Sequence, residues 1–139
     1  MSDHNDIVEK LVQQFTKRGF KPQTKENNLP TGAGRNEAIY RPDIIVRNSD
    51  GEIVWLVEVE TSEGGKAVAG AAILADITMQ KMSVRNKPKL MFVFYRTDSN
   101  LKLAEKRLLA LKERISGVEL MPPLSEKDAL EQIGKGENK

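Results

Sequence analysis

Three acids and one arginine lie at the ends of two short apolar runs between residues 38 and 60. Arg41 and Asp43 precede Ile44-Ile45-Val46, and Glu58 and Glu60 close the run that begins at Ile53. Carboxylates brought to one point can hold a hard divalent cation or take a proton from water. The question is whether the chain gathers them. Both runs are rich in β-branched residues and flank Asp50-Gly51. That pair suits a type I′ turn, whose two central residues need positive φ. With Asp50 and Gly51 in the centre, Ser49 faces Glu52, Ile45 faces Leu56, Asp43 faces Glu58 and Arg41 faces Glu60. Side chains alternate along a strand. Asp43, Glu58 and Glu60 then share a face with Arg41, while Ile53, Trp55, Val57 and Val59 point the other way. A four-residue loop from Asn48 to Gly51 would keep the acids together and pair Arg41 with Glu58. A three-residue loop would divide them between faces.

Opposed carboxylates repel, and apolar strands solvate them poorly. A cation, a raised pKa or Arg41 would offset that cost. The plain alternative is a hairpin end that protrudes into water.

Other elements must position this hairpin. Ile7, Val8, Leu11, Val12 and Phe15 form one stripe of a helix over 5–18, capped by Asp3 or Asn5 and ended by Gly19. Glu9 lies about 130° from the centre of that stripe, at its rim. His4, the only histidine, reads as a solvated residue of a loose terminus. Phe20 to Lys25 is expected as a short strand, and 26–37, with Gly32 and Gly34, as the longest loop. That loop lacks the spacing and lysine of a nucleotide-binding phosphate loop. After Glu60, Thr61 or Ser62 can cap a helix over about 63–83. Its first half is so rich in Gly and Ala that its backbone can lie close on a sheet. Pro88 to Tyr95 contains Leu-Met-Phe-Val-Phe, the pattern of a central strand covered on both faces. Asn100 to Ser116 reads as a helix burying Leu101, Leu108 and Leu111. Val118 to Met121 reads as a strand, Leu124 to Ile133 as a last helix, and the tail from Gly134 as disordered. The order α-β-β-β-α-β-α-β-α predicts one α/β domain with a mixed central sheet flanked by helices.

Pro42-Asp43, a strand, a turn and a strand ending in Glu58-Val59-Glu60 resemble the PD-(D/E)xK nuclease superfamily, which includes restriction endonucleases and archaeal Holliday junction resolvases. The resemblance covers roughly residues 5 to 96, with Glu9 in the preceding helix and the Gly/Ala-rich helix just after. It implies a restriction-endonuclease-like αβββαβ core and a Mg²⁺- or Mn²⁺-dependent endonuclease acting on DNA, as a homodimer. Asp43 and Glu58 would be the metal ligands, with the Val59 backbone carbonyl as a third. Glu60 would orient the attacking water or serve a second metal, and Glu9 would assist. The family's usual lysine is Glu60 here, so the ending is E-x-E. Lys66, the next lysine downstream, could supply the positive charge.

Composition bounds the rest. The 139 residues carry a net charge of +2 and no cysteine, which excludes disulfides and thiolate-bound zinc and permits an intracellular, cytoplasmic chain. Neither a signal pattern nor a membrane-spanning run is present. Residues 17 to 47 hold seven Lys/Arg against three acids. Arg18, Lys21, Lys25, Arg35 and Arg41 from that stretch are the candidates for binding a nucleic-acid backbone. Residues 77 to 97 hold five Lys/Arg and no acid. Three functions fit: a metal-dependent DNA nuclease, a nuclease-fold DNA-binding protein that has lost catalysis, and an unrelated α/β interaction domain.

Overall fold

The computed structural model describes residues 4–24, 40–60, 65–82, 85–95 and 101–135. The expected loop over 26–37, the Thr61/Ser62 cap, Lys25, Arg35 and residues 136–139 lie outside them. Among the described residues four helices flank a mixed, open six-stranded sheet. The helices are α1 (His4–Lys17), α2 (Gly65–Lys81), α3 (Leu101–Lys112) and α4 (Glu126–Gly134). The strands are β1 (Lys21–Thr24), β2 (Ile44–Arg47), β3 (Ile53–Glu60), β4 (Lys89–Phe94), β5 (Glu119–Leu120) and β6 (Leu124–Ser125). The sheet runs β1-β2-β3-β4-β5, with β6 also on β4. The first three strands form an antiparallel meander, and β3 and β4 are parallel. Among the described residues no helix is long and apolar enough to cross a membrane.

The hairpin reaches the expected register by an unexpected route. Its loop has three residues, Ser49 to Gly51. Asn48 N–H donates to Glu52 C=O at 2.9 Å, and Gly51 N–H donates to Asn48 C=O at 3.0 Å. Asn48 Oδ1 accepts from both Asp50 N–H and Glu52 N–H at 2.9 Å. Gly51 takes φ +84°, the one left-handed position this loop needs. Asn48 therefore faces Glu52, and Ser49 does not. By itself this loop would have split the acids. A β-bulge restores the phase: Arg47 pairs with Ile53, but Val46 pairs with Trp55, leaving Val54 as the extra residue. From there Ile45 faces Leu56 and Ile44 faces Val57, as expected. The bulge also moves Ile53 onto the Leu56 face, opposite to its expected side.

One sheet face packs Ile45, Leu56, Leu90, Phe92 and Phe94 under α2 and α3. The other packs Ile44, Val46, Val57, Val59, Met91 and Val93 under α1 and α4. All of β4 after Lys89 is buried, as its continuous apolar run implies. In α3, Leu108 and Ala104 are buried, whereas Leu101 and Leu111 are only partly so. α2 is apolar nearly all round, and Ile73, Leu74 and Ile77 remain exposed. Pro122-Pro123 divides the last edge: β5 pairs with the start of β4 and β6 with its end. Leu124 thus belongs to a strand. Helix α4 starts at Glu126, where Ser125 Oγ accepts the Asp128 N–H at 3.1 Å, and it includes Gly134.

Asp76, buried on α2, ties the chain after α3 to the layer beneath. Its Oδ1 accepts from Ser116 N–H at 3.1 Å, Gly117 N–H at 2.6 Å and Gln80 Nε2 at 2.9 Å. A Cβ on Gly117 would lie 2.6 Å from the Asp76 carbonyl oxygen, so only glycine allows this approach. Gly117→Ala is expected to destabilise by about 1–3 kcal/mol through overpacking, and Asp76→Ala by about as much through two unpaired N–H groups. Urea unfolding measures both.

Candidate functional site

The site begins where the β2–β3 ladder ends. One rung beyond Ile44–Val57 would face Asp43 with Glu58, and the next would face Pro42 with Val59. Proline has no N–H to donate, and the ladder stops at Ile44. The Val59 N–H is instead taken by Asp43 Oδ2 at 2.8 Å. The side chain of Asp43 thereby replaces a backbone acceptor and is fixed against the end of β3. Asp43 is 6% exposed and Glu58 8% exposed, so this end of the hairpin does not stand free in water.

Glu58 and Glu60 follow Leu56 along one face of β3, beside Phe92 and Phe94 of β4. Tyr40, 4% exposed, packs into the core of that face. Its phenol pKa is raised well above the ordinary 10.0, first by burial, then by the Glu58 carboxylate, and then by Asp43 and Glu60. All three acids thus act on one buried hydroxyl. The Glu58 carboxylate has the strongest influence of the three on that hydroxyl, and among the described residues the buried Tyr40 oxygen has no well-formed hydrogen-bond partner.

A fourth group joins from α1. His4 Nε2 lies 3.2 Å from Asp43 Oδ2. Its ring meets Tyr95 edge to face, with centroids 6.3 Å apart, and Tyr95 N–H donates to Glu60 C=O at 3.2 Å. His4 is therefore not a residue of a loose terminus. It opens α1 in line with the buried Ile7, Leu11 and Phe15 at helical spacing, its own side chain 38% exposed, and that spacing was the available signal. Among the described residues no group of three or more His, Asp and Glu side chains is arranged to hold a metal ion.

No family model, curated protein or solved structure matches this chain.

The other candidate residues are dispersed. Glu9 is exposed on α1, about 140° round the helix from His4 at 100° per residue, and no described contact joins it to the cluster. Lys66 lies in the first turn of α2, and its side chain falls outside the described residues. Arg41 is exposed near the acids but precedes β2, so it is not a ladder partner of Glu60. Lys21 pairs with Arg47 at the opposite end of the meander from Asp43, and half-buried Arg18 follows the far end of α1. Among the described residues, therefore, the basic side chains of this stretch do not run as one strip along the acids.

The raised Tyr40 pKa has a definite sign. The folded state keeps the phenol protonated after the unfolded chain has begun to lose its proton near 10.0. This contribution to stability is complete below that pH and is lost as pH rises towards the folded-state pKa. The wild-type stability, measured relative to Tyr40→Phe by chemical denaturation, is expected to be constant below pH 9 and to fall above about pH 10. A flat difference across that range would place the hydroxyl in water.

Proposed function

We propose that the protein is a metal-dependent endonuclease that hydrolyses DNA phosphodiester bonds on a restriction-endonuclease-like core. The observation that carries this reading is the pair of buried acids, Asp43 and Glu58, which flank the last rung of the hairpin ladder and both act on the Tyr40 hydroxyl. Element order adds support. α1, the antiparallel β1-β2-β3 meander, α2 and the parallel β4 follow the αβββαβ sequence that the Pro42-Asp43 and Glu58-Val59-Glu60 pattern implies.

The donor set suits a hard cation, since it consists of carboxylate and carbonyl oxygens with no thiolate. Asp43, Glu58 and the Val59 carbonyl would hold Mg²⁺ or Mn²⁺, which when bound stabilises negative charge on the scissile phosphate. The chain's own groups supply the rest. The Val59 N–H and His4 fix the Asp43 carboxylate. Glu60 orients the attacking water and takes its proton as the water oxygen bonds to phosphorus and the bridging P–O bond breaks, the leaving sugar oxygen taking a proton from solvent. Arg41 binds a neighbouring phosphate, and Lys66 brings positive charge from α2. Branched, junction-like DNA is the favoured substrate within this proposal. Cutting both strands calls for a second copy, and the exposed apolar side of α2 at Ile73, Leu74 and Ile77 is a surface suited to it.

Glu60 favours a second reading. An acid where the family pattern has lysine supplies no cation to the transition state, so a nuclease-fold protein that binds DNA without cutting also fits the E-x-E ending.

One labelled duplex and one labelled four-way junction, incubated with Mg²⁺, Mn²⁺ or EDTA, separate the two. The nuclease reading expects cleavage with metal and none with EDTA, and loss of cleavage in Asp43→Asn. In Glu60→Ala it expects a fall of about 10²–10⁴-fold with binding retained in Ca²⁺. Salt-sensitive binding without cleavage by wild type, with slow cutting regained in Glu60→Lys, would establish the second reading instead.

A further inference from the structure

The far end of the sheet carries a feature that the carboxylate site does not use. A cleft of about 400 Å³ opens there, lined by Phe15, Phe20 and Trp55 on one side and by Asn86, Lys87 and Lys89 on another. That volume is in the range of small-ligand sites. Its aromatic wall is built from three elements. Phe15 of α1 lies 6.1 Å from Phe20 and 6.2 Å from Trp55 of β3, ring centre to ring centre. The basic side comes from the acid-free segment noted in the sequence, where exposed Arg85 precedes Asn86 and Lys87. The bulge at Val54 shapes the wall, because it turns both Val54 and Trp55 onto the α1 face.

Lys89 decides what kind of ligand suits the cleft. Its Nζ sits 5.3 Å from the centre of the Trp55 ring. A cation over an indole face is worth little at an exposed site, so a flat, electron-poor ring can displace it there at small cost. If an aromatic ring stacks on Trp55, the ammonium moves aside and remains at the mouth of the cleft with Lys87. A purely apolar ligand would leave both ammoniums without a partner. A flat ring with an attached anion satisfies the wall and the mouth together, and the Asn86 amide can donate to and accept from a ring edge.

We propose that this cleft binds an unpaired nucleotide, with its base stacked on Trp55 and its phosphate held by Lys87 and Lys89. Trp55 stands five residues before Glu60 on β3, about 17 Å along the strand. The inference stands on the cleft alone and does not require the carboxylate end to cut DNA.

Trp55 is the only tryptophan, so its fluorescence reports on the cleft directly. The full chain is titrated in EDTA with four probes: thymidine monophosphate, a thymidine strand of about twelve nucleotides, an abasic strand of the same length, and inorganic polyphosphate. Saturable quenching by the thymidine probes, with little from the abasic strand or polyphosphate, is the expected result. Equal saturation by the mononucleotide and the strand identifies a free nucleotide as the ligand, and quenching by the strand alone identifies single-stranded nucleic acid. Lys87→Ala and Lys89→Ala should each reduce the salt dependence of strand binding by about one ion. Trp55→Phe, checked for folding by circular dichroism, should weaken binding of a labelled strand about tenfold or more. No quenching by any probe, quenching by the abasic strand equal to that of the thymidine strand, or salt dependence unchanged in both lysine variants would overturn the proposal.

Discussion

A backbone N–H buried at the end of a strand must find an acceptor, and at Val59 that acceptor is a side chain. Pro42 stands where the next rung of the ladder would form and has no N–H of its own, so the antiparallel pairing stops at Ile44. Asp43 occupies the gap with its carboxylate. The same bond satisfies β3, anchors the turn into β2 and holds an acid inside a largely apolar sheet end. Glu58 beside it, Tyr40 beneath both and His4 reaching over from α1 are arranged around that one substitution of a side chain for a main chain.

The hairpin register was legible in the sequence for a reason that did not hold in detail. Asp50-Gly51 pointed to a two-residue turn. The loop formed instead around Asn48, whose side chain accepts two backbone N–H groups, and it left only Gly51 in the left-handed region. Two irregularities then cancel. The three-residue loop shifts the pairing by one residue, and the Val54 bulge shifts it back. Asp43 therefore stands one residue before the Ile44–Val57 rung and Glu58 one residue after it, and both carboxylates act on the Tyr40 hydroxyl. Burying Leu56 and Val57 on their proper faces gains more than an unbroken ladder would, and that gain drives the cancellation.

Periodicity showed the layers well, because the continuous run of β4 and the stripe of α1 each reflect burial on known faces. It showed the site unevenly. The sequence starts the helix at Asn5, one residue late, and so misses that His4, though 38% exposed, reaches Asp43 from the first turn of α1. Glu9, at the rim of the apolar stripe, is exposed and no described contact joins it to the acids. A rim angle on a helical wheel carries no information about which end of the helix meets the sheet. Lys21 and Arg18 fall in one basic stretch with Arg41 by sequence distance, although the β1–β2 pairing places Lys21 at the other end of β2. Local charge counts do not register a reversal of chain direction. Tyr40 gave no signal of its own, because a tyrosine before a strand is ordinary until three acids converge on it.

Pro122-Pro123 has a consequence for how copies of this sheet can associate. An exposed strand edge is a template on which another chain can add a strand. On the β4 side that edge is covered by two fragments of two residues each, β5 and β6, with two successive prolines between them. A strand arriving there would meet a broken row of donors and a rigid step in the backbone. On this side the sheet is closed to growth, so the buried apolar run of β4 does not nucleate fibrous aggregation from the folded state.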